Sequence, residues 1–397
     1  MTTFPIVSPE IVSELGLSYT QTGIITAAYM LGYGLFQLPA SFLGIRMGSG
    51  RVLLGATILM SLAAPLPCLT ARPAVWVVSR FVLGVAGAAV LPLSVHLLTK
   101  AMTGVGLVKG LGVAISGWGI GMTLAMLGAA PLVHVVGWRA VLLAAAAIGL
   151  VVVAGLNRAL PSASRVGDLT AGAPHPARLL GQFARNRALN GMGMINAAGT
   201  SMTICVAGWL PLYLARTFDA PTDKIAAGLS PLGIGIAFGA WVGGTLTIRW
   251  GWRPVVVVAM GSACLLVASI PLQSGVAVIV TTAIVIGWVV MFFAAPTQSL
   301  FPFVIPQEWT ALAAGYYNTI GFIGAFVASL LFGFLADRLG SFTAGWLSLS
   351  ALSLGGLVAA LYVPIPTRAH SRTRPAFDTN LVARDKISEH RRVDEEG

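Results

Sequence analysis

The chain has 397 residues, 56% of them hydrophobic and only 9% charged, with a net charge of +11. A soluble globular chain carries about 25% charged residues, so the composition excludes an ordinary soluble domain and implies lipid as solvent. The surplus of basic charge would suggest nucleic acid in a soluble protein. Here it lies in short loops and a tail, which leaves the bilayer as the expected partner and nucleic acid as none.

Windows free of Asp, Glu, Lys and Arg run through most of the sequence, the longest from Pro254 to Gln307. About 20 apolar residues span a hydrocarbon core as a helix. Only helices or closed barrels satisfy their backbone groups in lipid, and these continuous runs are helical. In chain order, spans are predicted at 19–44, 52–71, 74–98, 107–134, 139–157, 189–214, 225–248, 254–272, 275–300, 309–336 and 341–363. They are numbered 2 to 12, because a first span is short. Only Met1 to about Ser13 remains for it, and that stretch holds Pro5, Pro9 and Glu10. Two readings fit: a start assigned too far downstream, favoured because the second half is a complete six-helix unit, or a stub in place of span 1.

The second half repeats the first at an offset of 203 residues. Ile45-Arg46-Met47-Gly48 recurs as Ile248-Arg249-Trp250-Gly251, and Gly32, Gly84, Gly112, Gly121 and Gly137 meet Gly235, Gly287, Gly315, Gly324 and Gly340. A same-order repeat in a membrane chain predicts two parallel bundles with a substrate site between them. The expected organisation is an N-terminal bundle (1–157, span 1 incomplete), a cytoplasmic linker (158–188), a C-terminal bundle (189–364) and a disordered tail (365–397). Within the linker, Arg178 to Arg185 alternates basic and apolar residues, which fits either a helix on the anionic leaflet or a solvated connection. Counting Lys and Arg in the loops gives 18 on the linker and tail side against 5 on the other, which predicts a cytoplasmic C-terminus.

The motifs add a family. The turn Ser41 to Gly48 and its second copy, the stretch Arg80-Phe81-Val82-Leu83-Gly84-Val85-Ala86-Gly87, the turn Gly137-Trp138-Arg139 and the stretch Gly333 to Ser341 together resemble the major facilitator superfamily. Gly315-Tyr316-Tyr317-Asn318 with Gly321 and Gly324 is similar to its organic-anion:cation symporter branch. The resemblance implies an all-α membrane protein with a 6+6-helix, two-bundle fold, acting as a secondary transporter in the cell membrane, multi-pass and monomeric. One departure stands out. The family's loop usually has an acidic residue before the Arg, whereas both copies here have Ile, at 45 and 248. Arg46, Gly48, Arg249 and Gly251 are therefore expected to serve either as a gating loop or as a plain basic anchor.

Arg80 lies inside span 4. A charge at a helix centre costs on the order of 2.5–3.5 kcal/mol, so it is expected to face the bundle interior or water. No Asp or Glu lies deep in a span, so a hollow holding Arg80 is electropositive and favours an anion. Tyr29, Tyr33 and Gln37 share one face of span 2 by their four-residue spacing, and Asn196, Gln298 and Asn318 add polar groups on spans 7, 10 and 11. Substrate contact is expected at Arg80, Tyr29, Tyr33, Asn196, Gln298 and Asn318, with interhelical hydrogen bonding as the competing role. His134 is a further proton-carrying candidate. The three cysteines have no metal or disulfide spacing, no Gly-x4-Gly-Lys-Ser/Thr loop occurs, and no cofactor, metal or enzymatic activity is expected. The reading is a transporter of a small organic anion coupled to H⁺ or Na⁺. The alternatives are a proton-linked drug or metabolite exporter, weakly disfavoured because the only Pro in span 5 is Pro131 near its end, and a non-transporting or truncated remnant.

Overall fold

The computed structural model describes residues 19–70, 72–124, 130–167, 176–220, 228–229 and 231–364, with Ile11 and Glu14. Span 1, apart from Ile11, and the tail lie outside these residues. Among them every regular element is helical, and ten helices are long and apolar enough to cross a membrane. Span 2 is Tyr19–Met47, span 3 Ser49–Ala63, span 5 Gly104–Leu124, span 7 Arg187–Phe218, span 8 Leu232–Trp250, span 9 Trp252–Ser269, span 11 Thr310–Leu339 and span 12 Thr343–Tyr362. The helix Ala130–Ala159 bends at Gly137 (φ 78°) and thereby joins the end of span 5 to span 6.

Spans 4 and 10 are broken rather than continuous. Span 4 is Pro73–Gly87 followed by Val90–Ala101. Span 10 is Val276–Val290, a 3₁₀ turn Met291–Phe293 and then Ala294–Gln298. Each break falls about one turn before a proline, Pro92 or Pro296. Proline removes the i→i−4 hydrogen bond and its ring crowds the carbonyl of that residue.

The repeat is visible in the packing. Span 2 lies on span 11, and span 5 on span 8; exchanging the halves turns one pair into the other. Likewise span 2 packs on span 4 as span 8 does on span 10, and span 3 on span 6 as span 9 does on span 12. Gly48 and Gly251 (φ 99° and 78°) both turn the chain in a conformation that a side chain resists, as do Gly137 and Gly340 (φ 78° and 60°). Arg46 and Arg249 stand exposed in the last turns before Gly48 and Gly251.

The linker corrects one expectation. Pro176–Arg185 is helical, but its apolar side is not offered to lipid: Leu179 and Phe183 are fully buried in the main core. The Phe183 ring lies 5.8 Å from that of Tyr316. Asn190 donates its amide to the Phe183 and Ala184 carbonyls, closing the helix end, and accepts from the Tyr316 hydroxyl at 2.9 Å.

Burial is uneven along the bundle axis. At the end nearest the linker, Phe293 to Phe301 and Trp309 to Gly315 are buried without interruption. Gln307 donates there to the Thr99 carbonyl of the other half at 2.9 Å. Further along span 11, Ile323, Phe326, Val327, Leu330 and Leu331 form one exposed, lipid-facing stripe, while Ala325, Ala328 and Phe332 are buried. The halves thus meet each other at the linker end.

Candidate functional site

Arg80 is 6% exposed, and among the described side chains it is the only buried Lys or Arg; no carboxylate is buried. It sits two turns into span 4, about 10 Å from the start of that helix. Its guanidinium carbon lies 4.9 Å from the centroid of Tyr29, over the ring. Such cation–aromatic contacts strengthen when desolvated. The close approach depends on glycine: methyl groups at Gly32 and Gly84 would strike the facing backbone of spans 4 and 2. Tyr29 stacks on Tyr33 at 5.8 Å, and Tyr33 meets Phe322 of span 11 at 4.5 Å. A run of aromatic rings therefore leads from the cation to the seam between the halves. Phe322 had no polar or charged signature to mark it in the sequence.

The repeat explains why this run is one-sided. At the offset of 203, Tyr29, Tyr33, Gln37 and Arg80 become Leu232, Ile236, Ala240 and Ala283. In the other direction Tyr317, Asn318 and Gln298 become Ala114, Ile115 and Val95. The glycine framework obeys the two-fold relation, while the polar chemistry does not.

Asn196 and Asn318 lie on the other side of the seam, both nearly buried. Asn196 donates to the Tyr317 carbonyl at 3.0 Å and accepts from Thr200 at 3.1 Å. The Tyr317 hydroxyl pairs with Thr297 at 2.8 Å, and the Thr297 hydroxyl lies 2.8 Å from the Phe293 carbonyl, beside the break in span 10. These bonds tie spans 7, 10 and 11 together, so Asn196 makes the interhelical tie that competes with substrate contact.

Gln298 is 4% exposed and its Oε1 has no hydrogen-bond partner. Its depth sets it apart from the other candidates. Arg80 corresponds to Ala283, and Gln298 lies 15 residues further along span 10, about 20 Å toward the linker end at helical rise. One small solute cannot touch both Arg80 and Gln298. The His134 side chain lies outside the described residues. His96, fully buried in the second segment of span 4, was not singled out by sequence.

Glu14 forms a separate contact at the far end. It accepts from the Trp138 indole at 2.6 Å and pairs with Arg139 at 2.7 Å. The Trp138 hydrogen bond, then Arg139, holds the Glu14 carboxyl below its ordinary value.

Two helical halves in same-order repeat, meeting across the linker end and holding, well away from that end, the only buried Lys or Arg among the described side chains, define a membrane transporter of the two-bundle type. The family model of the Major Facilitator Superfamily matches residues 1–329, and the chain belongs to that family. Among curated relatives, the "Probable sulfoacetate transporter SauU" of Cupriavidus necator is 27% identical, over 90% of this chain and 88% of its own length. The "Probable L-galactonate transporter" of Escherichia coli is 24% identical (88% and 82% covered). The "Gallate transporter" of Pseudomonas putida is 25% identical (93% and 88%). Among solved structures, the transporter FucP in its outward conformation superposes with a TM-score of 0.75 at 16% identity, covering 91% of this chain and 94% of that one. The human organic anion transporter MFSD10 gives 0.73 at 15%, covering 89% and 88%.

Proposed function

We propose that the chain is a secondary transporter that moves a small organic anion across the cell membrane by alternating access, coupled to H⁺ or Na⁺. The observation that carries this reading is Arg80: the only buried Lys or Arg among the described side chains, seated on Tyr29 deep inside an apolar bundle. A buried charge of this kind is costly and marks a solute pathway by default. The relatives named for sulfoacetate, L-galactonate and gallate, all organic acids, support the anionic class. Arg80 attracts the anion, Tyr29 and Tyr33 flank it, and Asn318 lines the opposite side. Asn196 holds spans 7 and 11 in register, and Gln298 belongs to the gate at the linker end. Arg46, Gly48, Arg249 and Gly251 form the paired turns on which the gate pivots. The charge bias of the loops supports a cytoplasmic linker, gate and C-terminus, which gives a state sealed on the inner side.

The test is uptake by proteoliposomes of the purified chain, using the three organic acids just named. Arg80→Ala is expected to abolish uptake while the protein inserts and elutes as wild type does, and Arg80→Lys to keep a fraction of it. Wild-type uptake by Arg80→Ala would overturn the assignment. Imposed proton and sodium gradients, applied separately, identify the coupling ion.

A further inference from the structure

We propose that Gln37 and Asn318, one carboxamide from each half, form a polar subsite for a hydroxyl at the far end of the transported anion, which makes the substrate a hydroxylated acid. This rests on the Arg80 site described under Proposed function, which takes the acid group.

The contacts between spans 2 and 11 set their register across the seam. Tyr33 meets Phe322 at 4.5 Å. A methyl group at Gly315 would lie 2.8 Å from the Gln37 carbonyl oxygen and would strike the Ser41 side chain. Gln37 stands between Tyr33 and Ser41, and Asn318 between Gly315 and Phe322. Residues three or four apart share a helix face, so the two carboxamides sit at one level on facing stripes. Both are buried, at 0% and 4% exposure. Neither amide atom of Gln37 has a hydrogen bond of good geometry, although the Tyr33 hydroxyl lies nearby. The Asn318 side chain forms none with the described residues either. A carboxamide carries two donors and an acceptor oxygen, and burying them unpaired is costly.

The opposite seam shows that packing does not require these amides. Between spans 5 and 8, a methyl group at Gly112 would lie 3.4 Å from the Ala240 carbonyl oxygen, the counterpart of the Gly315 contact with Gln37. There the repeat puts Ala240 in place of Gln37 and Ile115 in place of Asn318, both buried. The same backbone contact is thus apolar in one seam and lined with carboxamides in the other.

Polar groups also join Arg80 to the amides. The guanidinium lies 4.9 Å from the Tyr29 ring centroid. The Tyr29 hydroxyl lies against Gly87, and the Tyr33 hydroxyl lies near Gln37. Tyr29 to Gln37 is two turns of span 2, about 12 Å. An acid that meets the guanidinium at one end and the amides at the other therefore carries its hydroxyls remote from the acid group. A hydroxyl donates and accepts at once, so it can answer a carboxamide on each side. Of the acids for which the relatives are named, L-galactonate and gallate have such hydroxyls and sulfoacetate has none.

Calorimetry on the full chain in detergent compares acids that differ in their hydroxyls: gallate with benzoate, and L-galactonate with hexanoate. The hydroxylated member of each pair is expected to bind more tightly. Gln37→Ala and Asn318→Ile, which install the residues of the opposite seam, should each weaken gallate about twofold to tenfold, the range for one neutral hydrogen bond, and leave benzoate unchanged. Equal affinity within both pairs, or gallate binding indifferent to both variants, would overturn the proposal and leave the anion-transporter reading standing. Loss of benzoate together with gallate in both variants would also overturn it, because the carboxamides would then support the bundle and not a hydroxyl. Failure of all four acids on the unaltered chain, with uptake of cationic or neutral solutes instead, would remove the anion reading itself.

Discussion

Gly119 is the most demanding position in the seam between spans 5 and 8. A methyl group there would lie 2.5 Å from the Gly233 carbonyl oxygen and 2.8 Å from the Ala237 Cα, and would press on the Ala237 amide nitrogen as well. All three atoms are backbone of the opposite half and cannot rotate aside. Ordinary contact begins near 3.4 Å, so Gly119→Ala must part the spans by close to 1 Å. The same shift stretches the hydrogen bond from Ser116 Oγ to the Ala237 carbonyl, 2.7 Å in the native seam. Overpacking costs about 1–3 kcal/mol, and an interhelical hydrogen bond in a membrane protein is worth about 0.6 kcal/mol. Together they predict a loss of roughly 2–3.5 kcal/mol. Gly117 and Gly121, two residues to either side, meet nothing within 4 Å. Alanine at those two sites should be neutral, or gain up to about 1 kcal/mol from helix propensity. Thermal unfolding of the three variants in detergent is the assay: Gly119→Ala should melt several degrees lower, while Gly117→Ala and Gly121→Ala melt at or above wild type. Three coincident melting curves would refute the close-packed seam.

Three further outcomes are expected. Glu14→Gln removes a pair whose folded carboxyl titrates below its ordinary 4.5; its stabilisation is complete above about pH 4.5 and lost as pH falls through the lowered value. The variant should therefore melt below wild type at pH 7 and converge with it in strong acid, and a gap that persists in acid would contradict the pairing. Asn196→Ala should cost about 1–2 kcal/mol by breaking its hydrogen bonds to the Tyr317 carbonyl and the Thr200 hydroxyl, measured as a fall in melting temperature. Gly48→Ala and Gly251→Ala force a side chain into positive φ at about 1–2 kcal/mol each; melting-temperature losses that differ widely between the two would argue against equivalent turns in the two halves.

The fold was legible because its framework is written in glycines and charges. The matched Arg46 and Arg249 turns and the glycines 203 apart exposed the repeat, and two of the pairs, Gly48 with Gly251 and Gly137 with Gly340, return as matched positive-φ turns. Arg80 was legible as a lone charge in an apolar run, and Tyr29 with Tyr33 by helical spacing. Depth was not legible from residue type alone. Gln298 reads as one more polar residue of span 10, and its distance from Arg80 emerges only once the repeat aligns Arg80 with Ala283 and the helices give the rise between them. Partners were not legible either: Gly117, Gly119 and Gly121 look alike in sequence, yet only the middle one touches the opposite half. The linker helix reads as either a leaflet-bound amphipath or a solvated connection because sequence gives its apolar face without what covers that face, which is the bundle's own core. The breaks in spans 4 and 10 could have been read from Pro92 and Pro296.

The alternating-access claim is most directly tested at the closed end, where Gln307 reaches the Thr99 carbonyl across the two halves. Cysteines at positions 99 and 307, in a chain whose three native cysteines are replaced, would be joined by a short crosslinker in proteoliposomes. The account predicts that the crosslinked protein still binds its anion from the far side but transports none, and that cleaving the link restores transport. Undiminished transport through the crosslinked protein would contradict it.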